Sequence, residues 1–308
     1  MKKVFSVFRL AARAFSNLKA NNPVQLAAAT AFFTFFALPP IVIILSQLYD
    51  TLFIVSNQQL SRQLFYKLAE VFGHQSARQL LDISQHLQQP RANHWLTGLS
   101  VLVLLLAATT LFAIIKNSLN QIWSVKPSTD RRIWHAVLDK IIALGIILFS
   151  GFLFVTSLTI HQALLPFRTY LSSEVLDQSW LQNAGQHSLS ILVLTIWFAV
   201  VFKYLPDIKI RWRAVWTGAL VTGFLIELGE NLLNHLLINS PVSTMYGTSG
   251  AIILILLFVF YASLIFYYGA SFTRYYAEWI HQRAKPGDHA VAYQIREIGI
   301  NKTNSASQ

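Results

Sequence analysis

Six long apolar stretches run along the chain at 24–48, 96–115, 141–160, 188–205, 214–238 and 250–273, each separated from the next by a polar segment. A helix needs about 20 predominantly apolar residues to cross a hydrocarbon core. The lengths match that requirement, so the pattern predicts an all-α integral membrane bundle of six transmembrane helices. The fourth stretch is short and ends at Lys203, whose charged end can snorkel to the interface. Only the fifth carries acidic residues in its interior.

Polar punctuation gives the rest of the organisation. Asn22 and Pro23 read as the N-cap and first position of the first spanning helix. Within that helix Pro39-Pro40 removes two backbone donors and frees the carbonyls of Phe35 and Phe36, so a sharp kink is expected there. Residues 1–22 read as a basic amphipathic segment on the inner leaflet, with Val4, Phe5, Phe8, Ala12 and Phe15 on one side. They lack the apolar core of a cleavable leader. Between the first two spans, Leu60, Leu64, Leu68, Val71 and Phe72 recur at helical spacing, as do Leu80, Ile83, Ser84 and Leu87. Two amphipathic external helices are expected there. The membrane domain covers 23–280, and the tail 281–308 loses periodicity beyond Pro286, which reads as partly disordered.

Composition agrees with lipid as the solvent. Hydrophobic residues make up 54% of the chain and charged ones 12%, half the usual share in soluble domains. Cysteine is absent, which excludes disulfides and thiolate chemistry. The net charge of +11 could suggest nucleic acid, but its distribution argues otherwise. Nineteen Lys and Arg fall in the N-terminal segment, the second and fourth connections and the tail, against five in the remaining connections. By the positive-inside rule the richer side is cytoplasmic, so both termini are expected inside. The basic balance is a topology signal, with no nucleic acid as partner.

Candidate chemistry concentrates on the fifth stretch. Glu227, Asn231 and Asn234 lie at i, i+4 and i+7, and Glu230 joins that face. Ionisable groups at membrane depth are costly and usually face a bundle interior or a wet cavity. The face is therefore either a polar path for a substrate, ion or proton, or interhelical glue. Arg211 and Arg213 are too far along the helix to pair with Glu227, and no other span offers Lys or Arg at its depth. A protonated or hydrated acid follows, with Asn231 and Asn234 favouring hydration. Gly218, Gly223 and Gly229 on this stretch read as sites of close helix approach. Enzyme signals are weak: nine scattered histidines show no paired-ligand spacing, and no nucleophile or phosphate-loop motif occurs. His161, His187 and His235 lie at span boundaries and read as structural. No cofactor, metal or catalytic residue is expected.

Several segments together resemble the bacterial YihY/BrkB family of inner-membrane proteins, some once labelled ribonuclease BN. They are the Ala-rich run from Leu26 to Pro40, the Asn120-Gln-Ile-Trp123 sequence, Tyr204-Leu-Pro206 followed by Arg213 and Gly218, Glu227, Tyr246-Gly247 and Gly269-Ala270. Three positions depart from the family pattern. Ala37 replaces a serine, Glu230 falls where many members carry lysine, and Ser271 replaces a glutamate. The resemblance implies a membrane bundle in the bacterial cytoplasmic membrane and no settled activity.

The leading functional expectation is a transporter or lipid-translocating protein with a polar path along the fifth helix. Membrane lipids, including anionic head groups at the cytoplasmic face, are the expected partners. A membrane scaffold or envelope-assembly factor is the main alternative, and a membrane-tethered ribonuclease a distant one. The charge distribution makes a direct prediction. A reporter fused after Gln308 should behave as cytoplasmic and one inserted near Ser76 as external; the reverse pattern would overturn the orientation.

Overall fold

The computed structural model describes residues 2–37, 109–128, 178–233 and 248–294, with position 78 and scattered positions between 134 and 156. Helix α1 is Lys2–Ala20 and α2 is Pro23–Ala37. A third helix, α3, is described over 109–122, and helical positions recur between 134 and 156. Then come α4 (Gln178–Tyr204), α5 (Trp212–Leu233) and α6 (Thr248–Trp279). Four short strands complete the described elements: β1 (Val125–Pro127), β2 (Ile208–Lys209), β3 (Lys285–Pro286) and β4 (Ala290–Ala292). The Pro39-Pro40 kink, the external segment 49–95 apart from position 78, Asn234, Tyr246 and Gly247 all lie outside the described residues.

Two of the described helices are long and apolar enough to cross a membrane, over His187–Tyr204 and Ile252–Trp279. Helix α5 explains how the bundle is stabilised. Its Trp216, Leu220, Phe224 and Leu228, four residues apart, form a half-exposed stripe. Its buried side carries Ala214, Val215, Gly218, Ala219, Thr222 and Glu227 instead, with Val215 the largest apolar side chain among them. Large apolar residues outside and small or polar ones inside is the arrangement expected when lipid replaces water, because tight packing rather than hydrophobicity then holds helices together.

The crossing of α5 and α6 rests on a reciprocal exchange. Gly218 lies against Thr273, and Gly269 lies against Thr222. Each threonine hydroxyl donates to the glycine carbonyl one turn back on its own helix, Thr222 to Gly218 and Thr273 to Gly269, both at 2.7 Å. With their hydroxyls satisfied within their own helices, both threonines can pack as compact apolar knobs. Gly229 approaches the ring of Tyr261, and Gly223 approaches the Ile191 carbonyl of α4. The close-approach reading of all three α5 glycines therefore holds.

One end of the bundle is laced by the strands. β1 pairs antiparallel with β4, and β2 with β3. The segment after α6 thus bridges the exit of α3 and the turn between α4 and α5. Beyond Pro286 the described residues run to 294 and include β4, a three-residue strand too short to show any periodicity in the sequence. Helix α6 runs to Trp279, six residues past the expected end. Arg274 had marked a membrane boundary in the sequence, yet it lies within the helix and donates to the Ile122 carbonyl and to Ser124 Oγ (2.9 Å) at the end of α3. α6 closes with His281 in the left-handed region (φ 56°), Gln282 N–H donating to the Ala277 carbonyl and His281 N–H to that of Glu278. That is a Schellman motif, with histidine at the position usually held by glycine.

Helix α1 forms as expected, followed by left-handed Asn22 and by Pro23 as the first residue of α2. Its packing face is Leu10, Ala14 and Leu18, all buried, with Phe272 of α6 beside the first two. Phe15, assigned to the leaflet side, is exposed. Ser271 of α6 donates to the Ala14 carbonyl (2.8 Å) and accepts from Asn17 Nδ2 (3.0 Å).

A Cβ on Gly218 would lie 1.8 Å from Thr273 Oγ1, and one on Gly269 1.8 Å from Thr222 Oγ1. Gly218→Ala and Gly269→Ala should each destabilise the protein by about 1–3 kcal/mol through overpacking, read as lower detergent Tm. Adding Thr222→Ala to Gly269→Ala should recover part of the loss; strictly additive losses would refute the packing argument.

Candidate functional site

Three features carry potential chemistry: the acidic face of α5, an interior cavity, and a polar knot at the laced end.

Glu227 is buried, and its Oε1 shares a 2.6 Å hydrogen bond with His187 Nδ1 on α4. The sequence reading left this carboxyl with no partner but water or a proton. The structure supplies an imidazole, because α4 extends ten residues beyond the expected start and brings His187 into the helix. His187 was placed one residue outside the predicted span, and that boundary hid it. Its side chain is 51% exposed while that of Glu227 is 11% exposed, so the pair joins a packed helix face to the surroundings. Glu227 is fifteen residues into α5 and His187 seventeen before the end of α4, which puts the pair about 22–26 Å from the turn that joins them. Glu230 is half-buried on the same helix, and Asn231 closes the described part of that face.

The cavity has a volume of about 340 Å³ and walls from α2 to α6 and from positions 146 and 150. Phe112, Trp197, Phe198, Phe258 and Phe266 dominate it. Two of its hydroxyls are already engaged: Ser150 donates to the Ile146 carbonyl and accepts from Trp197 Nε1 (2.6 Å), and Thr30 bonds the buried Tyr267 hydroxyl (2.6 Å). α5 contributes Ile226, while Glu227 is not among the lining residues. The apolar cavity and the acidic face are separate features.

At the laced end the motif residues converge. Asn120 Nδ2 donates to Asp207 Oδ2 (2.9 Å), and Asp207 N–H donates to Asn120 Oδ1 (2.8 Å). Lys116 Nζ lies 2.8 Å from Asp207 Oδ1, and Gly287 N–H donates to the Asp207 carbonyl. Trp123 and Pro206 are buried beside this knot, while Tyr204 is exposed and meets Trp212 edge-on. Asp207 was not singled out from sequence, although its place directly after Pro206 was a usable signal. Nearby, hydrogen bonding and charge attraction from Lys209 hold the Asp288 carboxyl below the usual carboxylate range. That exposed contact is present at neutral pH and is lost as pH falls through the lowered value. Among the described residues no three His, Asp or Glu side chains form a metal cluster.

A family described as Virulence factor BrkB matches residues 14–294. The chain belongs to the BrkB family. Related proteins named UPF0761 membrane protein include one from Teredinibacter turnerae, 24% identical over 255 residues, and one from Delftia acidovorans, 26% identical over 258. These alignments cover 82% and 81% of this chain but 56% and 57% of the relatives, so the chain spans little more than half their length. A BrkB relative from Idiomarina loihiensis, also named UPF0761 membrane protein, is 22% identical over 75% of this chain and 76% of its own length. No solved structure matches. Membership makes the chain a membrane protein; the names of these relatives specify no reaction.

The His187–Glu227 contact gives a test of the acidic face. Glu227→Gln should keep folding and insertion, since an amide still hydrogen-bonds imidazole. Glu227→Leu should lower detergent stability by about 1–3 kcal/mol by leaving a polar group without its partner. Combining Glu227→Leu with His187→Leu should cost less than the sum of the single changes. Additive losses would show that the two side chains do not act as a pair.

Proposed function

We propose that this BrkB-family protein translocates a lipid or a similar amphipathic anion across a bacterial cytoplasmic membrane. In this reading residues 23–280 form a six-span domain with both termini cytoplasmic, the basic segment 1–22 rests against the inner leaflet, and the tail 281–308 stays inside. The observation that carries the proposal is the aromatic-lined cavity of about 340 Å³ within the bundle. A cavity so apolar suits a hydrocarbon chain rather than an ion, since it offers little to replace an ion's hydration shell. The basic laced end complements the other half of an amphiphile by attracting anionic head groups. Four segments rich in Lys and Arg come together at that end, which supports their lying on one side of the membrane.

The original idea of a polar path along α5 is thereby modified. Glu227 and Glu230 belong to a separate face toward the outer side, suited to releasing or admitting a polar group. A second reading, a non-transporting scaffold, is favoured by one observation: Glu227 is almost enclosed and bonded across α4 and α5, as interhelical glue would be.

Reconstitution distinguishes the two. In liposomes carrying fluorescent phospholipid in the inner leaflet, the protein should accelerate exposure to an external quencher relative to protein-free liposomes. Ala262→Phe, which fills the cavity, should slow that exposure severalfold with little change in insertion. Equal rates with wild type, the variant and no protein would favour the scaffold.

A further inference from the structure

A second cavity lies at the laced end, outside the bundle core. It has a volume of about 720 Å³ and is lined by Lys209, Arg211, Arg283, Lys285, His281 and Glu278, with Ile210 and Gln282 completing it. Four permanent cations against one carboxylate make it strongly electropositive. Among the described residues Arg211, Arg283 and Lys285 have no acidic partner, whereas Lys209 reaches Asp288. Like charges converging without compensation are unfavourable unless an anion is shared between them. The backbone adds to the same field, because the lining residue Arg211 immediately precedes α5 and so sits at the positive end of that helix dipole.

One further detail marks the cleft wall. His281 adopts the left-handed conformation that a non-glycine residue enters only at a cost, and so puts an imidazole on the cleft wall. Depth is set by the aromatic residues around it. Trp212, which follows Arg211, is exposed beside Tyr204 and Trp216, and Trp279, the last residue of α6, is exposed against Tyr276. Exposed Trp and Tyr mark the head-group level of a membrane.

We propose that this cleft binds the phosphate of an anionic phospholipid head group, with Arg211, Arg283 and Lys285 gripping the phosphate oxygens. Arginine suits this role because its planar fork meets phosphate with two parallel hydrogen bonds. The inference rests on the lipid-handling reading above, but binding can be measured without any flux.

The full chain, purified in a neutral detergent, would be titrated with short-chain phosphatidylglycerol, phosphatidylcholine, glycerol 3-phosphate and inorganic phosphate while Tm is followed. Phosphatidylglycerol should raise Tm saturably and phosphatidylcholine should not. Arg211→Gln with Arg283→Gln should shift the midpoint about tenfold toward higher lipid, the loss expected when charge-assisted contacts are removed. His281→Gly keeps the backbone conformation and should weaken binding without lowering the starting Tm. A control with equal charge loss at exposed Arg13 and Lys126 should bind as wild type does. An equal response to glycerol 3-phosphate or inorganic phosphate would overturn the lipid source. No response to any of the anions, or identical responses in cleft and control variants, would overturn the site. Lipid binding retained in a protein that moves no lipid would overturn the transport reading and leave the cleft standing.

Discussion

Much of the laced end hangs on Asp207. Its carboxylate takes Lys116 on one oxygen and Asn120 on the other, its N–H returns to Asn120, and its carbonyl receives Gly287. Four groups from one residue thereby fix α3, the α4–α5 turn and the segment beyond α6 relative to one another. Lys116 and Asp207 are largely shielded, so neither charge could be left without the other. A shielded pair of this kind contributes little net stability, but it tolerates few alternative arrangements. Strands β2 and β3 join directly onto this knot, β2 after Asp207 and β3 before Gly287.

The helical membrane character was legible because it rests on length and periodicity, which lipid makes stringent. Helix α5 was placed within two residues of its start, and its three glycines were read correctly as packing sites. Pro23 likewise opens α2 as expected. What escaped was whatever depended on partners distant in sequence. Arg274 looked like a boundary because charge normally ends a span, and only the end of α3 explains its place inside a helix. His187 fell one residue beyond a predicted span, so its bond to Glu227 could not be foreseen from either helix alone. The strands of the tail were not foreseen for a related reason: isolated short strands carry no periodic signal, and β4 pairs with a segment more than 160 residues earlier.

The two faces of α5 also separate two tasks. Its outer stripe of Trp216, Leu220, Phe224 and Leu228 meets a fluid solvent and needs no specific shape. The inner side must fit three neighbours at once, with Thr273 at Gly218, α4 at Gly223 and Tyr261 at Gly229. Sequence change is thus unequally costly around one helix: broad substitution of apolar residues is tolerable outside, and added methyl groups are not tolerable within.

The lacing strands have a consequence for biosynthesis. β3 and β4 follow α6 in the chain, so a ribosome delivers every described helix before it delivers the residues that tie their ends. Until Lys285–Pro286 and Ala290–Ala292 emerge, the loops at 125–127 and 208–209 lack their strand partners, and the Asp207 carbonyl lacks Gly287. Insertion and closure are therefore successive events, with the last-made segment acting as a latch. A nascent chain halted just after Trp279 would hold its helices in the bilayer with the laced end still open, and so present exposed strand edges to the quality-control proteases of the cell.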